Sequence, residues 1–151
     1  MSVPFWKLTC DRHPGQKFES AGEIKQLICG YFEWADLNPI ATEELSFYMG
    51  EPVRAKVNKK RAYTQAALCA FLGISQVTWF RWRKGDQDAT YPGLSEVIDW
   101  ADKVCFEQKL TGAAAGLFNP MIISRDLGLT DKQDVKTTTT TVVIQGNDAE
   151  L

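Results

Sequence analysis

The residues of this chain that could do chemistry lie in residues 73–85, which read GISQVTWFRWRKG. Two Trp side chains, three positions apart, alternate there with amide, aromatic and basic side chains, as on two faces of a short helix. Gln and Arg form bidentate hydrogen bonds with adenine and guanine edges, and Val or Phe can contact a thymine methyl group. The stretch therefore predicts either a helix that reads DNA or an aromatic-rich helix buried in a core.

The residues around this stretch have the layout of a helix-turn-helix unit, which needs a small residue where the helices touch and a glycine at the turn. Thr64 is predicted to cap a first helix over residues 66–71, and Gly73 to form a left-handed turn. Ser75 is predicted to cap a second helix that ends near Lys84. Cys69 is the small contact residue, and the apolar anchors are Leu68, Leu72, Ile74, Trp79 and Trp82.

With both Trp side chains inward, the second helix has a polar and aromatic outward face. Arg83 and Lys84 are predicted to reach phosphate groups, which position a protein on DNA without specifying a sequence. Exposed Val77 and Phe80 could serve a protein interface instead. The residues predicted to face outward are Ser75, Gln76, Val77, Phe80, Arg81 and Lys84.

Charge is segregated along the chain, although the net charge is only −2. Residues 54–84 hold eight basic and no acidic residues, whereas the rest of the chain holds 9 basic and 19 acidic residues. Such a local positive field is what phosphate binding depends on. The basic residues of this window are Arg54, Lys56, Lys59, Lys60, Arg61, Arg81, Arg83 and Lys84.

Part of that charge falls on a predicted β-hairpin over residues 45–57, which turns at residues 49–51. Arg54 and Lys56 share one face of its second arm, and residues 59–61 extend a basic ribbon. These cations could contact phosphate, or they could protect an exposed sheet edge from aggregation. Both interpretations stay open.

The rest of the chain is predicted to be mainly helical. Ser20 and Glu23 have capping-box spacing, and the helix that follows ends at Asn38-Pro39. Another helix begins near Leu94 with an apolar inner face. A small-residue helix follows, then a break at residues 119–120 and a short helix ended by Gly128. The two predicted inner faces are Ile24, Leu27, Ile28, Tyr31, Phe32 and Ala35, and Leu94, Val97, Ile98, Ala101 and Cys105.

Several functional classes lack their residues here. A single His13 and cysteines without a CxxC pair provide no zinc ligand set, so reduced thiols that mostly fill the core are expected at Cys10, Cys29, Cys69 and Cys105. No motif of a nucleotide-binding loop, hydrolase or metalloprotease occurs. No apolar run is long enough for a bilayer, and the first residues lack a signal-peptide layout. We expect no enzyme, cofactor, metal or membrane association, and ordinary solvated acids at Glu43, Glu44, Asp99 and Asp102.

Residues 137–144 are five threonines followed by Val142, Val143 and Ile144. This β-branched run has no partner strand nearby in the sequence. It is typical either of a disordered low-complexity tail or of a strand that is completed only by other subunits.

Three blocks of the sequence together resemble a known family. They are KFESAGEIKQLICGYFEWADLNP, SFYMGEPV and LSEVIDWADKVCFEQKLTGAAAGLFNPMIISRDLGL, and they span most of residues 17–130. The chain resembles the small terminase (DNA-packaging) subunits of short-tailed, headful-packaging bacteriophages. The resemblance implies a mainly α protomer with a β-hairpin and a ring built from adjacent helices. It also implies a protein without catalysis that recognises the packaging start on concatemeric viral DNA and recruits and regulates the large subunit, an ATPase and nuclease.

The resemblance also bears on the tail, because related subunits end in a strand that joins an intersubunit β-barrel near the motor-docking end. It implies such a strand over residues 135–144. The side chains assigned to oligomerisation or large-subunit docking are Val135, Thr137, Thr139, Thr141, Val142, Val143 and Ile144. Some relatives carry a basic C-terminal extension, whereas this chain reads QGNDAEL at that point, so DNA binding through a basic tail is not carried over.

The implied partners are double-stranded viral DNA, the large terminase subunit and further copies of the chain, in the bacterial host cytoplasm and not in the mature virion. Four regions follow: an N-terminal arm (1–19), a DNA-binding region (20–93), a helical oligomerisation region (94–130) and a C-terminal strand and tail (131–151). Two alternatives stay open, namely a dimeric helix-turn-helix transcription regulator and a structural adaptor whose helix pair only packs subunits. Native mass separates the dimer from a ring.

Overall fold

The computed structural model describes residues 3–10, 12 and 15–129. In this part of the chain the fold is mainly helical with one two-stranded antiparallel hairpin, as the sequence predicts. The elements are α1 (Phe5–Thr9), α2 (Ala21–Leu37), β1 (Ile40–Tyr48), β2 (Glu51–Lys59), α3 (Gln65–Leu72), α4 (Gln76–Arg83), α5 (Leu94–Ala114) and α6 (Pro120–Asp126). The predicted strand over residues 135–144 and the barrel it would join lie outside the described residues.

Helix α2 begins at the predicted cap. Ser20 Oγ accepts a hydrogen bond from the Glu23 amide at 3.2 Å, and the Glu23 carboxylate accepts one from the Glu19 amide at 2.6 Å. The reciprocal bond thus goes to the residue before the cap instead of to the cap itself. Two backbone donors at the helix start are still satisfied, which is the function of a capping box.

One hydrophobic core joins α2, α3, α4 and α5. Its fully buried side chains include Ile24, Ile28, Leu68, Leu72, Trp79, Leu94 and Ile98. The predicted inner face of α2 is confirmed, with Leu27 only partly buried. Residues from both predicted regions, 20–93 and 94–130, contribute to this core.

Helix α1 lies in the segment that the sequence indicates only as an arm. The Phe5 ring packs against Trp34 with centroids 5.4 Å apart, and the Trp34 indole N–H donates to the Val3 carbonyl at 3.2 Å. Five residues are too few for a periodic apolar pattern, so the helix is stabilised by these tertiary contacts on α2.

The hairpin is longer than the sequence pattern predicts, with strands over residues 40–59 instead of 45–57. Met49 and Gly50 form its two-residue turn, with φ of 51° and 83°. Positive φ at both positions is the geometry of a type I′ turn, whose twist matches that of paired strands. The added first residues of β1 pair with the basic end of β2, from Ile40 opposite Lys59 onward, and this pairing cannot be read from either arm alone.

Helix α5 includes the small residues 111–114, which the sequence assigned to a separate helix. The chain turns back immediately after α5, where the amides of Leu117 and Phe118 both donate to the Gly112 carbonyl. This turn packs the Phe118 ring directly on Gly112, where a Cβ would collide with it. At the other end of α5 the capping residue is Gly93, which has no side chain. Asp88 caps the helix from the preceding loop by accepting from the hydroxyl and the amide of Ser95, and these bonds lower the pKa of Asp88.

Candidate nucleic-acid interface

Local sequence signals position the helix pair α3–α4. Thr64 Oγ1 accepts from the Ala67 amide at 3.2 Å, and Ser75 Oγ accepts from the Thr78 amide at 3.1 Å. Gly73 lies between the helices with φ 70° and ψ 30°, a left-handed conformation that costs a glycine little. The predicted caps and turn are confirmed, and both helices have eight residues.

The helix pair is attached to the core through aromatic and small side chains. Trp79 is 0% exposed and Trp82 is 5% exposed, and the Trp82 ring meets Phe18 edge-on at 5.7 Å. Cys69 is buried in the same core, and burial raises its thiol pKa to about 11. Both Trp side chains therefore face inward, as the spacing predicts.

The cysteines are divided between core and surface. Cys105 is buried like Cys69, and burial raises its pKa to about 12. Cys10 and Cys29 are exposed, so the expectation that the thiols fill the core is wrong for these two. Cys29 follows the fully buried Ile28 on α2, and the rotation between successive helix residues takes it off the buried face.

The outward face of α4 consists of six exposed residues, Ser75, Gln76, Val77, Phe80, Arg81 and Lys84. Val77 is 62% exposed although it is apolar. The Lys84 ammonium lies 4.5 Å from the centroid of the Phe80 ring, a cation–π contact that holds two members of the face together. This face combines amide, aromatic, aliphatic and cationic groups on one short helix, as the sequence pattern predicts.

Arg83 lies elsewhere, at the junction of α4 and α5. Its Nε and Nη2 both lie 2.6 Å from Asp102 Oδ2, and the Trp79 indole N–H donates to Asp102 Oδ1 at 3.1 Å. Asp102 is therefore not an ordinary solvated acid, because its carboxylate is three-quarters buried and accepts from two side chains of α4. The phosphate contact predicted for Arg83 would have to compete with this ion pair.

Asp102 is the site residue that sequence reasoning missed. It follows Ala101 and lies four residues after Ile98 and three before Cys105, so it borders the buried stripe of α5. An acid at that position needs a partner from a neighbouring element. A carboxylate beside an apolar helix face was therefore the feature of the sequence that indicated a paired acid at Asp102. The sequence does not identify Trp79 and Arg83 as the residues that pair with it.

The basic residues of the hairpin face carboxylates. Arg54 lies 3.7 Å from Glu43, and Lys59 lies 2.7 Å from Glu44 across the strand pair. Lys56 lies directly opposite Glu43 in the strand register. Residues 40–59 contain three carboxylates and three cations, so the hairpin as a whole is neutral. The window that has no acid in the sequence is therefore not free of acids in space.

The two basic residues that follow the hairpin lie close to α2. Lys60 lies 3.9 Å from Asp36. The Arg61 Nε donates to the Asn38 carbonyl at 3.0 Å, and its guanidinium lies 4.9 Å from the centroid of the Trp34 ring. Arg61 thus secures the end of α2, and only part of its cationic group is accessible.

Arg81 and Lys84 form no ion pair within the described part of the chain, whereas Arg54, Lys59, Lys60 and Arg83 each form one. Both are exposed, on or directly after the last turn of α4. The structure thus brings together the outward face of α4 and separates it from the hairpin cations, whose charges are matched locally.

Among residues 3–10, 12 and 15–129, no group of three or more His, Cys, Asp or Glu side chains is arranged to hold a metal ion. None of the helices in the same residues has both the length and the apolar character required to cross a bilayer.

Comparison with known proteins identifies the family. The family described as DNA-packaging protein gp3 matches residues 13–135. The terminase small subunit of Salmonella phage P22 is 36% identical over 135 residues, which cover 89% of this chain and 80% of the phage P22 protein. Both matches include α2, the hairpin, the helix pair α3–α4 and the helices α5 and α6. The chain belongs to the DNA-packaging small terminase subunit family.

Proposed function

We propose that this chain is a ring-forming small terminase subunit that recognises the packaging site on concatemeric viral DNA and recruits and regulates the large subunit. The observation that carries the DNA-binding part is the outward face of α4, which presents Gln76 and Arg81 on a helix attached firmly to the core. Family membership supports the packaging role, since the phage P22 relative is a terminase small subunit. The proposed activity is recognition and assembly, without catalysis.

DNA docks on α4 in this proposal, with the helix in the major groove. Gln76 and Arg81 carry the donors for base edges, and Phe80 can contact a thymine methyl group. Ser75 and Lys84, at the two ends of the helix, reach phosphate groups. The other basic residues of the window contribute a weaker field around this contact: Arg54, Lys56, Lys59, Lys60, Arg61 and Arg83.

Copies of the chain assemble through residues 94–130, where apolar side chains lie at the surface. Leu110, Ile123 and Leu129 line an apolar groove between α5 and α6. When one surface of a protomer contacts a different surface of the next protomer, the subunits form a closed ring if the rotation between neighbours divides a full turn evenly. The exposed apolar residues of this region are Phe106, Leu110, Leu117, Met121, Ile122 and Leu129.

The tail provides the contact with the large subunit in this proposal. Residues 135–144, which lie outside the described residues, form a strand that only neighbouring subunits complete. The docking side chains are those predicted from the sequence, from Val135 to Ile144. The complex acts in the host cytoplasm during packaging and is absent from the mature virion.

Native mass and DNA affinity test the proposal together. We expect a closed oligomer larger than a dimer, and we expect it to enrich specific duplexes from fragments of the phage genome. Arg81→Ala should weaken binding to an enriched duplex by roughly 1–3 kcal/mol, the usual loss for a bidentate base contact. Glu107→Gln, an exposed change on α5, is the control. A dimer, or equal affinity of the Arg81 variant and the wild-type chain, would contradict the proposal.

A further inference from the structure

One carboxylate on α5 accepts hydrogen bonds from two successive turns of α4. Trp79 and Arg83 are four residues apart, so they lie above one another on the same side of α4. Asp102 accepts from the Trp79 indole through one oxygen and from the Arg83 guanidinium through the other. Neither Trp79 nor Arg83 belongs to the outward face of α4, so Asp102 contacts the helix that carries this face through residues outside the face.

The hydrogen bonds of Asp102 fix the orientation of α4, which apolar packing alone does not do. Buried Trp79 and Trp82 hold α4 against the core, but packing is not directional and tolerates small rotations of a helix. Hydrogen bonds from an indole and a guanidinium to one carboxylate are directional, and the bonds from the guanidinium are strengthened by charge. Because they act at two turns, they fix both the rotation of α4 about its axis and its position along that axis.

We infer that Asp102 is a positioning residue for DNA recognition, which aims the outward face of α4 at base edges without contacting DNA. The inference rests on the proposed function, because it requires that α4 reads DNA. Bidentate base contacts tolerate an error of only about half an ångström, whereas phosphate contacts tolerate more. Loss of Asp102 therefore lowers discrimination between sequences more than it lowers attraction to DNA in general.

Asp102 also determines what Arg83 can do. While the guanidinium is paired with this carboxylate, it serves as a support for α4 and is withheld from phosphate. Asp102→Asn keeps an oxygen that can accept from the indole but removes the charge that holds Arg83. The released guanidinium then adds a non-specific phosphate contact, so affinity for an unrelated duplex is maintained or rises.

The test uses the full chain and two probes, namely a duplex that the wild-type protein enriches from phage genome fragments and a scrambled duplex of the same length and composition. Asp102→Asn should reduce the ratio of the two affinities by about tenfold, the lower range for a lost base contact. Asp102→Glu, which keeps the carboxylate, should restore most of the ratio. Asp99→Asn is the matched control, since Asp99 is an exposed acid on α5 that pairs with Lys103 within the same helix.

Arg83→Gln removes the α4 partner of the same ion pair, at a half-exposed position where misfolding is not expected. It should lower the ratio in the same direction, and combining it with Asp102→Asn should add little, since both changes break one interaction. An unchanged ratio in Asp102→Asn, or an equal fall in both affinities, would overturn the inference. If Arg81→Ala still lowers affinity for the enriched duplex in that case, only the inference is wrong. If Arg81→Ala has no effect, the proposed function is wrong as well.

Discussion

The hairpin and the helix pair α3–α4 both contain basic residues, but they differ in how they contact the core and in whether carboxylates lie near their cations. The hairpin has no residue in the core, and its cations lie close to carboxylates of the same two strands. The helix pair buries Leu68, Leu72 and Trp79 in the core and exposes Arg81 and Lys84 without an acid partner in the described residues. A count of charges along the sequence treats both alike, whereas the field that DNA meets depends on which carboxylates are neighbours in space.

The hairpin and the helix pair α3–α4 also differ in rigidity. An isolated two-stranded hairpin is marginally stable in water, whereas a helix fixed by buried aromatic side chains has a defined orientation. Base readout requires a defined orientation, and attraction to phosphate does not. The helix pair is therefore the better candidate for sequence recognition, and the hairpin cations are better suited to weak, non-specific attraction.

The largest expected difference between the two regions is in stability. Trp79→Ala should lower the free energy of unfolding by about 3–5 kcal/mol, because it opens a cavity in the shared core. Phe47→Ala on the hairpin should change it by less than about 0.5 kcal/mol, since Phe47 is 72% exposed. Urea denaturation followed by circular dichroism measures both. Comparable losses of unfolding free energy in the two variants would mean that the hairpin contributes to a packed core as fully as the helix pair does.

A smaller difference in stability is expected when glycine is replaced by alanine at the turn of each region. Gly73→Ala should cost about 1 kcal/mol of global stability, because φ is 70° there and unfavourable for residues with a Cβ. Gly50→Ala, at φ 83°, should strain only the hairpin turn and leave the global unfolding midpoint close to the wild-type value. Thermal melts of both variants check this, and an equal shift would place the hairpin in the same cooperative unit as the core.

The caps and turns were predictable from the sequence because they depend on neighbouring residues. Ser20, Thr64, Gly73 and Ser75 all take the predicted positions. Inward Trp79 likewise follows from helical spacing.

Apart from the Asp99–Lys103 pair within α5, the ion pairs of the described residues join separate elements and were therefore not predictable. The Arg83–Asp102 contact links residues 19 positions apart on two different helices, and the Lys59–Glu44 contact depends on strand register. The length of α5 was missed because its small residues 111–114 were assigned to a separate helix, whereas Gly112 continues α5 and provides the space for the Phe118 ring. These features depend on packing, which a single sequence does not encode locally.

The smallest expected effect tests whether carboxylates mask the hairpin. Glu43→Gln combined with Glu44→Gln removes the acids that face Arg54 and Lys59. Affinity for a scrambled duplex should rise a few-fold at low salt and return to the wild-type value at high salt, where exposed charges are screened. Glu96→Gln with Glu107→Gln, two exposed acids of α5, controls for net charge. Equal rises in both pairs would assign the effect to overall charge and not to the hairpin.

The most direct measurement compares two charge-matched double variants on an enriched phage duplex across a range of salt concentrations. Arg81→Ala/Lys84→Ala removes exposed cations of the α4 region, and Arg54→Ala/Lys59→Ala removes paired cations of the hairpin. We predict at least a tenfold loss of affinity and a shallower salt dependence for the first pair, because a base contact and a phosphate contact are both lost, with little change for the second. Equal losses in the two variants, or a larger loss from the hairpin pair, would contradict the claim that DNA is read by α4.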